Sequence, residues 1–271
     1  MGAVLFAVKG CAGLETGRAY ARARELWEQL GSPSEFLHVP YGQARYHAHR
    51  GEFDLAQRLD ENLLRLSSQR DDFTGLVLGH YSFGRNLMLA GRFASSLTHL
   101  EDVLALYDPI SHSSIIHQVG EAPDVNSQAL LGIVLFCLGY PDRALARSSA
   151  AIAEAGVLAH PPSLASSLSN GALVLWLLGK DADLDQQADQ LVAIAAEQGF
   201  PYWLARGTIY RGWVKVKNGD VTEGVSLLRS GSIAYGATGA DPGIDNIALL
   251  ATACEIAGQV KEAEALLDDL G

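Results

Sequence analysis

Two tyrosine–arginine pairs share one spacing: Tyr41 with Arg45, and Tyr81 with Arg85 forty residues later. On a helix, residues four apart sit on one face, one turn from each other. Arginine offers a planar donor fork matched to a carboxylate, and tyrosine a rigid amphipathic ring. Two readings follow. The pairs could grip an acidic group of another molecule, or the arginines could be ion-paired to carboxylates on neighbouring helices.

The remaining reactive side chains converge less. His47 and His49 are two apart, so they point to different sides of a helix and cannot share a metal. The segment Asp108–Pro123 carries His112, His117 and Glu121, with Asp124 just after it. It reads either as a ligand loop or as a packed connector, and its histidine spacing fits no metal motif. Asp71-Asp72 and Asp268-Asp269 lie near expected helix ends, the first pair suiting a helix N-terminus through the dipole. Nothing near either pair would split their pKa values for acid–base work. The sequence holds no Gly-x4-Gly-Lys phosphate loop, no His-Glu-x-x-His and no Gly-x-Ser-x-Gly. It therefore predicts no catalytic residue, no cofactor and no metal centre, and a chain that is not an enzyme.

The elements that must position these residues are set by a repeat. Gly51, Gly91, Gly139, Gly179, Gly219 and Gly258 each follow an apolar helical run, at intervals of 40, 48, 40, 40 and 39 residues. Seven residues before each stands a small residue: Ala44, Gly84, Gly132, Ala172, Gly212 and Ala251. Five residues after come Ala56, Ser96, Ala144, Leu184, Gly224 and Ala263. A glycine just past a helix adopts the left-handed conformation without a Cβ penalty and stops the helix. Small residues on both sides of the turn let two antiparallel helices approach closely. Prolines fall where first helices should begin, at Pro33, Pro123, Pro161, Pro162, Pro201 and Pro242. Apolar residues recur at helical spacing and no strand-like alternation competes. The pattern predicts helices over 15–30, 35–50, 53–68, 72–90, 93–107, 124–138, 141–156, 162–178, 181–198, 201–218, 221–236, 243–257 and 260–270. The eight extra residues of the 48-residue interval are placed in the loop 108–123.

The small-x6-Gly-x4-small pattern, with Gly51-Glu52-Phe53, Gly91-Arg92-Phe93 and Gly258-Gln259-Val260 at turns, resembles tetratricopeptide repeats. The expected fold is all-α: a right-handed solenoid of tetratricopeptide-like antiparallel hairpins with a period of about 40 residues. Four stretches resemble the C-terminal helical region of bacterial signalling proteins that join a class III cyclase or transcription-regulator domain to a predicted ATPase. They are Ala19–Leu26, Leu106–Pro109, Leu138–Arg147 and Glu197–Trp213. That resemblance implies a regulatory or interaction role and names no ligand. In such repeats first helices line the inner face, with residues ten and six before the turn glycine pointing into it. The candidate groove residues are thus Tyr41, Arg45, Tyr81, Arg85, Ile209 and Trp213.

Composition narrows the partners. With 31 carboxylates against 20 Lys and Arg the formal charge is −11, which repels nucleic acid and anionic lipid surfaces. Cys11, Cys137 and Cys254 are far apart and read as buried thiols of a reducing cytoplasm. We expect one repeat domain over 1–271, with a partial hairpin over 1–31 and six hairpins over 32–270. The expected partner is a protein or peptide with acidic groups, or a second copy in a homodimer. Apolar Ala3–Val8 at one end and Leu266, Leu267 and Leu270 at the other imply either a longer natural protein or ends that pack against another copy.

Overall fold

The computed structural model describes residues 12–33, 36–108, 113–241 and 243–268. Fourteen helices occur among them, and no strand. They are α1 (Leu14–Gln29), α2 (His38–His49), α3 (Phe53–Gln69), α4 (Phe73–Leu89), α5 (Phe93–Leu106), α6 (Ser113–Val119) and α7 (Pro123–Cys137). There follow α8 (Pro141–Leu158), α9 (Pro161–Leu177), α10 (Asp181–Gln198), α11 (Pro201–Lys217), α12 (Val221–Ala237), α13 (Gly243–Ile256) and α14 (Val260–Asp268). None of the described helices is long and apolar enough to cross a membrane.

The helix stops are local in origin. All six turn glycines have positive φ, from 68° at Gly179 to 93° at Gly219. At Gly51, its amide donates to the Ala48 carbonyl at 3.1 Å and the Glu52 amide to the His47 carbonyl at 3.0 Å. These two bonds satisfy carbonyls the helix would otherwise leave bare. Prolines open α7, α8, α9 and α11, where the missing N–H costs nothing. Asp72 caps α4 by accepting from the Gly75 amide at 2.9 Å.

Helices pair as α2/α3, α4/α5, α7/α8, α9/α10, α11/α12 and α13/α14, and each first helix also touches the next first helix. First helices form the inner layer: α4 buries ten of its 17 residues and α3 only four of 17. The small residues work as spacers. A Cβ on Gly212 would stand 2.9 Å from the Gly224 carbonyl oxygen, which measures how closely α11 and α12 cross.

Two expectations change. The stretch 108–123 is not simply a loop, since it contains α6. Cys137 is exposed at the end of α7, while Cys254 is buried; Cys11 lies outside the described residues. The array does not stay open. The Asp241 amide, between α12 and α13, donates to the His49 carbonyl at 2.8 Å, and the His49 ring meets Tyr202 of α11 edge-on at 5.7 Å. Backbone of Ala12 abuts Gly239. The solenoid curls until its first hairpin touches its later ones, closing the concave face into an interior.

Candidate functional site

That interior is lined by polar side chains from successive first helices. Tyr41 and Arg45 come from α2, and Tyr81 and Arg85 from the same inward stripe of α4. Because the repeats stack in register, the two tyrosine rings lie parallel-displaced, 6.2 Å apart and 26° off coplanar. Pro40 does not disturb this arrangement. It occupies the first turn of α2, and the Tyr41 amide still reaches the Leu37 carbonyl at 3.2 Å.

Glu121, in the connector between α6 and α7, turns into this stripe. Its carboxylate accepts from Arg45 Nη1 at 2.7 Å, from the Tyr81 hydroxyl at 3.1 Å, from Asn126 Nδ2 at 2.9 Å and from the Tyr41 hydroxyl. The connector is therefore pinned to the groove. Burial works against the Arg45 charge, but Glu121 and the surrounding tyrosines outweigh it and raise the guanidinium's pKa. The sequence groups Glu121 with His112 and His117; in the structure Glu121 is buried. His117 is exposed, and His112 lies outside the described residues.

The two arginines of the repeated pair thus differ. Arg85 is 6% exposed, yet Nη1 and Nη2 meet no hydrogen-bond acceptor among the described residues. Nε makes a long 3.4 Å contact to Asn86 Oδ1, and the guanidinium sits 5.6 Å from the Tyr81 ring. No carboxylate of the described chain is ion-paired with it. Asp60 of α3 feels its field, but burial pushes that carboxyl up to about 7, so at neutral pH it offsets Arg85 only in part. A buried guanidinium lacking partners is costly.

A third arginine completes the interior. Arg206 of α11 donates to Ser169 Oγ at 2.9 Å, to the Tyr210 hydroxyl at 2.6 Å and to Asp245 Oδ2 at 3.0 Å. His49 registers all three cations: burial first, then the fields of Arg85, Arg45 and Arg206, hold its pKa well below the usual histidine range. The interior carries three guanidiniums against Glu121, Asp245 and the partly protonated Asp60.

Ile209 and Trp213 are engaged in packing contacts of their own. Ile209 is fully buried against Gly231 of α12, and Trp213 Nε1 reaches Asp181 at 3.2 Å while its ring meets Trp176. On α11 the inward pair is Arg206 and Tyr210. Asn126, Arg206 and Asp245 stand thirteen residues before Gly139, Gly219 and Gly258. That position lies seven residues, or about two turns, above the one six before the glycine, and hence on the same stripe. The spacing was available in the sequence as a signal.

Chemically, the interior suits reception of an anion. Glu121 and Asp245 are paired with Arg45 and Arg206, and Arg85 retains two buried donor nitrogens without an acceptor among the described residues.

No protein-family model matches the chain. No curated protein matches it either. Solved structures do. The crystal structure of BtubC (BKLC) from P. vanneervenii is 15% identical, with a TM-score of 0.52 over 82% of this chain and 87% of that one. A Rap protein complexed with Competence and Sporulation Factor is 14% identical, with a TM-score of 0.60 over 86% of this chain and 67% of that one. A Podosopora anserina putative kinesin light chain with TPR-like repeats is 20% identical, with a TM-score of 0.46 over 70% and 90%. The fold is that of a tetratricopeptide-like solenoid.

Proposed function

We propose that this chain is a non-catalytic repeat scaffold of the cytoplasm that binds a protein or peptide by drawing an acidic group of it into the closed interior. The reading rests on one observation, the buried Arg85 with both Nη atoms lacking acceptors among the described residues. A carboxylate reaching Arg85 would gain charge-assisted hydrogen bonds in a site shielded from water. The neighbouring cations Arg45 and Arg206 favour its charge. Tyr81 supplies a wall. The non-catalytic reading is supported by Glu121, which is held by Arg45, Tyr41, Tyr81 and Asn126 and so is not a free base. In the Rap structure a protein of this fold is complexed with Competence and Sporulation Factor, so the architecture is compatible with holding another molecule. In keeping with its sequence resemblances, the scaffold would serve as the sensory part of a signalling ATPase, cyclase or transcription regulator.

The test is calorimetric titration of the protein with a short oligoglutamate peptide, with sodium phosphate as a free-anion arm. Binding to the peptide should weaken as salt rises and vanish in Arg85→Met without loss of melting temperature. Peptide affinity unchanged in that variant would overturn the reading.

A second reading, a homodimer through the last hairpin, is favoured by Ile256, Val260 and Leu267, each about half exposed. Light scattering of an Ile256→Asp variant tests it: a dimer that persists, or a monomeric parent, removes this alternative.

A further inference from the structure

A second constellation lies on the α4/α5 hairpin, apart from the stripe that carries Tyr81 and Arg85. His80 of α4 faces His99 and Asp102 of α5, the latter two three residues apart on one helical face. Nδ1 of His80 is 3.0 Å from Nδ1 of His99 and 3.2 Å from Oδ2 of Asp102. One ligand atom from each residue falls within 4.8 Å of the others, and all three side chains are half-buried.

Proton counting makes this arrangement unstable by itself. Nδ1 of a neutral imidazole carries either a hydrogen or a lone pair. If His80 Nδ1 carries the hydrogen, it must share that one hydrogen between Oδ2 of Asp102 and the lone pair of His99 Nδ1. If His99 instead donates to His80, the lone pair of His80 is spent and Asp102 faces it with a second lone pair. Neither assignment gives each short contact a hydrogen of its own. A cation satisfies them together. Burial lowers the pKa of both histidines, which favours the neutral, ligating form. Tetrahedral zinc with bonds of about 2.0–2.1 Å separates its ligand atoms by roughly 3.3 Å. The two observed separations, 3.0 and 3.2 Å, are close to that edge.

We propose that His80, His99 and Asp102 form a Zn²⁺ site, with water in the fourth position. Two imidazoles select a transition cation over Mg²⁺ or Ca²⁺, which take oxygen ligands. The Asp102 side chain is 44% exposed, so the ion has an entry path. The His99 ring stacks obliquely on Phe83 at 4.7 Å, which holds it in place. The ion would clasp α4 to α5 one residue from Tyr81, and so stiffen the hairpin that presents Arg85.

The test uses the full chain after chelator treatment and dialysis, titrated calorimetrically with ZnCl₂ and, in parallel, spectroscopically with CoCl₂. The parent should bind one equivalent of Zn²⁺, show the intense visible bands of low-symmetry tetrahedral Co²⁺, and melt at higher temperature with zinc. His99→Ala and Asp102→Asn should each lose the one-equivalent step and the zinc-dependent rise in melting temperature. Asp102→Asn keeps the side-chain shape, so it remains informative if His99→Ala folds poorly. No stoichiometric binding by the parent, or binding that survives both substitutions, overturns the proposal.

Discussion

Nη1 of Arg45 lies 2.7 Å from Oε1 of Glu121, and this ion pair fastens the connector ahead of α7 to the inner face of α2. Both side chains are nearly removed from water, at 10% and 5% exposure. Breaking one side of such a pair strands the other charge, at a cost of about 3–5 kcal/mol. Glu121→Gln should therefore lower the unfolding free energy by that order in urea titration. The double variant Glu121→Gln/Arg45→Met should recover part of the loss, because no buried charge is then left alone. A strictly additive double variant would show that the two groups are not coupled.

Arg85 should behave with the opposite sign. It has no ion-pair partner among the described residues, so Arg85→Met removes a buried cation and replaces it with apolar volume. Stability should rise by about 1 kcal/mol or more, whereas Arg45→Met should fall by several. Urea denaturation of the two variants side by side decides it. Changes of the same sign would mean that the arginines have equivalent roles.

Asp60 gives the protein a pH signature. Its carboxyl is raised from 3.8 to about 7, first by burial, with Ser82, Arg85 and Asn86 pulling it back. Between those values the folded state binds more protons than the unfolded chain. Stability is therefore lost as pH rises from about 4 through about 7, by a few kcal/mol, and the loss is complete above that range. Asp60→Asn should abolish this slope, matching the parent near pH 4 and exceeding it near pH 8. His49 works the other way, since its depressed pKa makes stability rise toward pH 6.5, but it is common to both proteins and cancels in the comparison. Parallel pH profiles would mean that Asp60 titrates normally.

Glycine substitutions should separate spacing from propensity. A Cβ on Gly212 would meet the Leu228 amide nitrogen at 2.8 Å and the Gly224 carbonyl oxygen at 2.9 Å, both backbone atoms that cannot swing aside. Gly212→Ala should cost about 1–3 kcal/mol by forcing α11 and α12 apart. Gly156, inside α8, has nothing within 4 Å of such a Cβ. Gly156→Ala should stabilise by about 0.5–1 kcal/mol through helix propensity alone. Thermal melts of the two variants should shift in opposite directions.

The hairpins were legible because their code is local. A positive-φ glycine such as Gly179, a proline at the start of α9 and Ala172 in the hairpin seam act within a few residues of themselves. Expected helix ends such as 72–90 and 53–68 fall within one residue of Phe73–Leu89 and Phe53–Gln69. Helical periodicity placed Tyr41, Arg45, Tyr81 and Arg85 on one stripe for the same reason. Which arginine is neutralised was not legible. It depends on Glu121, whose direction follows from how α6 packs its connector against α2. The meeting of His80 with His99 and Asp102 depends on the side-chain register between α4 and α5. The closure that brings Asp241 to His49 was equally hidden. Curvature is the sum of small crossing angles over successive helix interfaces, each set by many side chains at once, so no short motif records it. The sequence alone determined where the chain turns and which residues share a face; only the tertiary structure decided how far the array curls, and therefore which charges meet inside it.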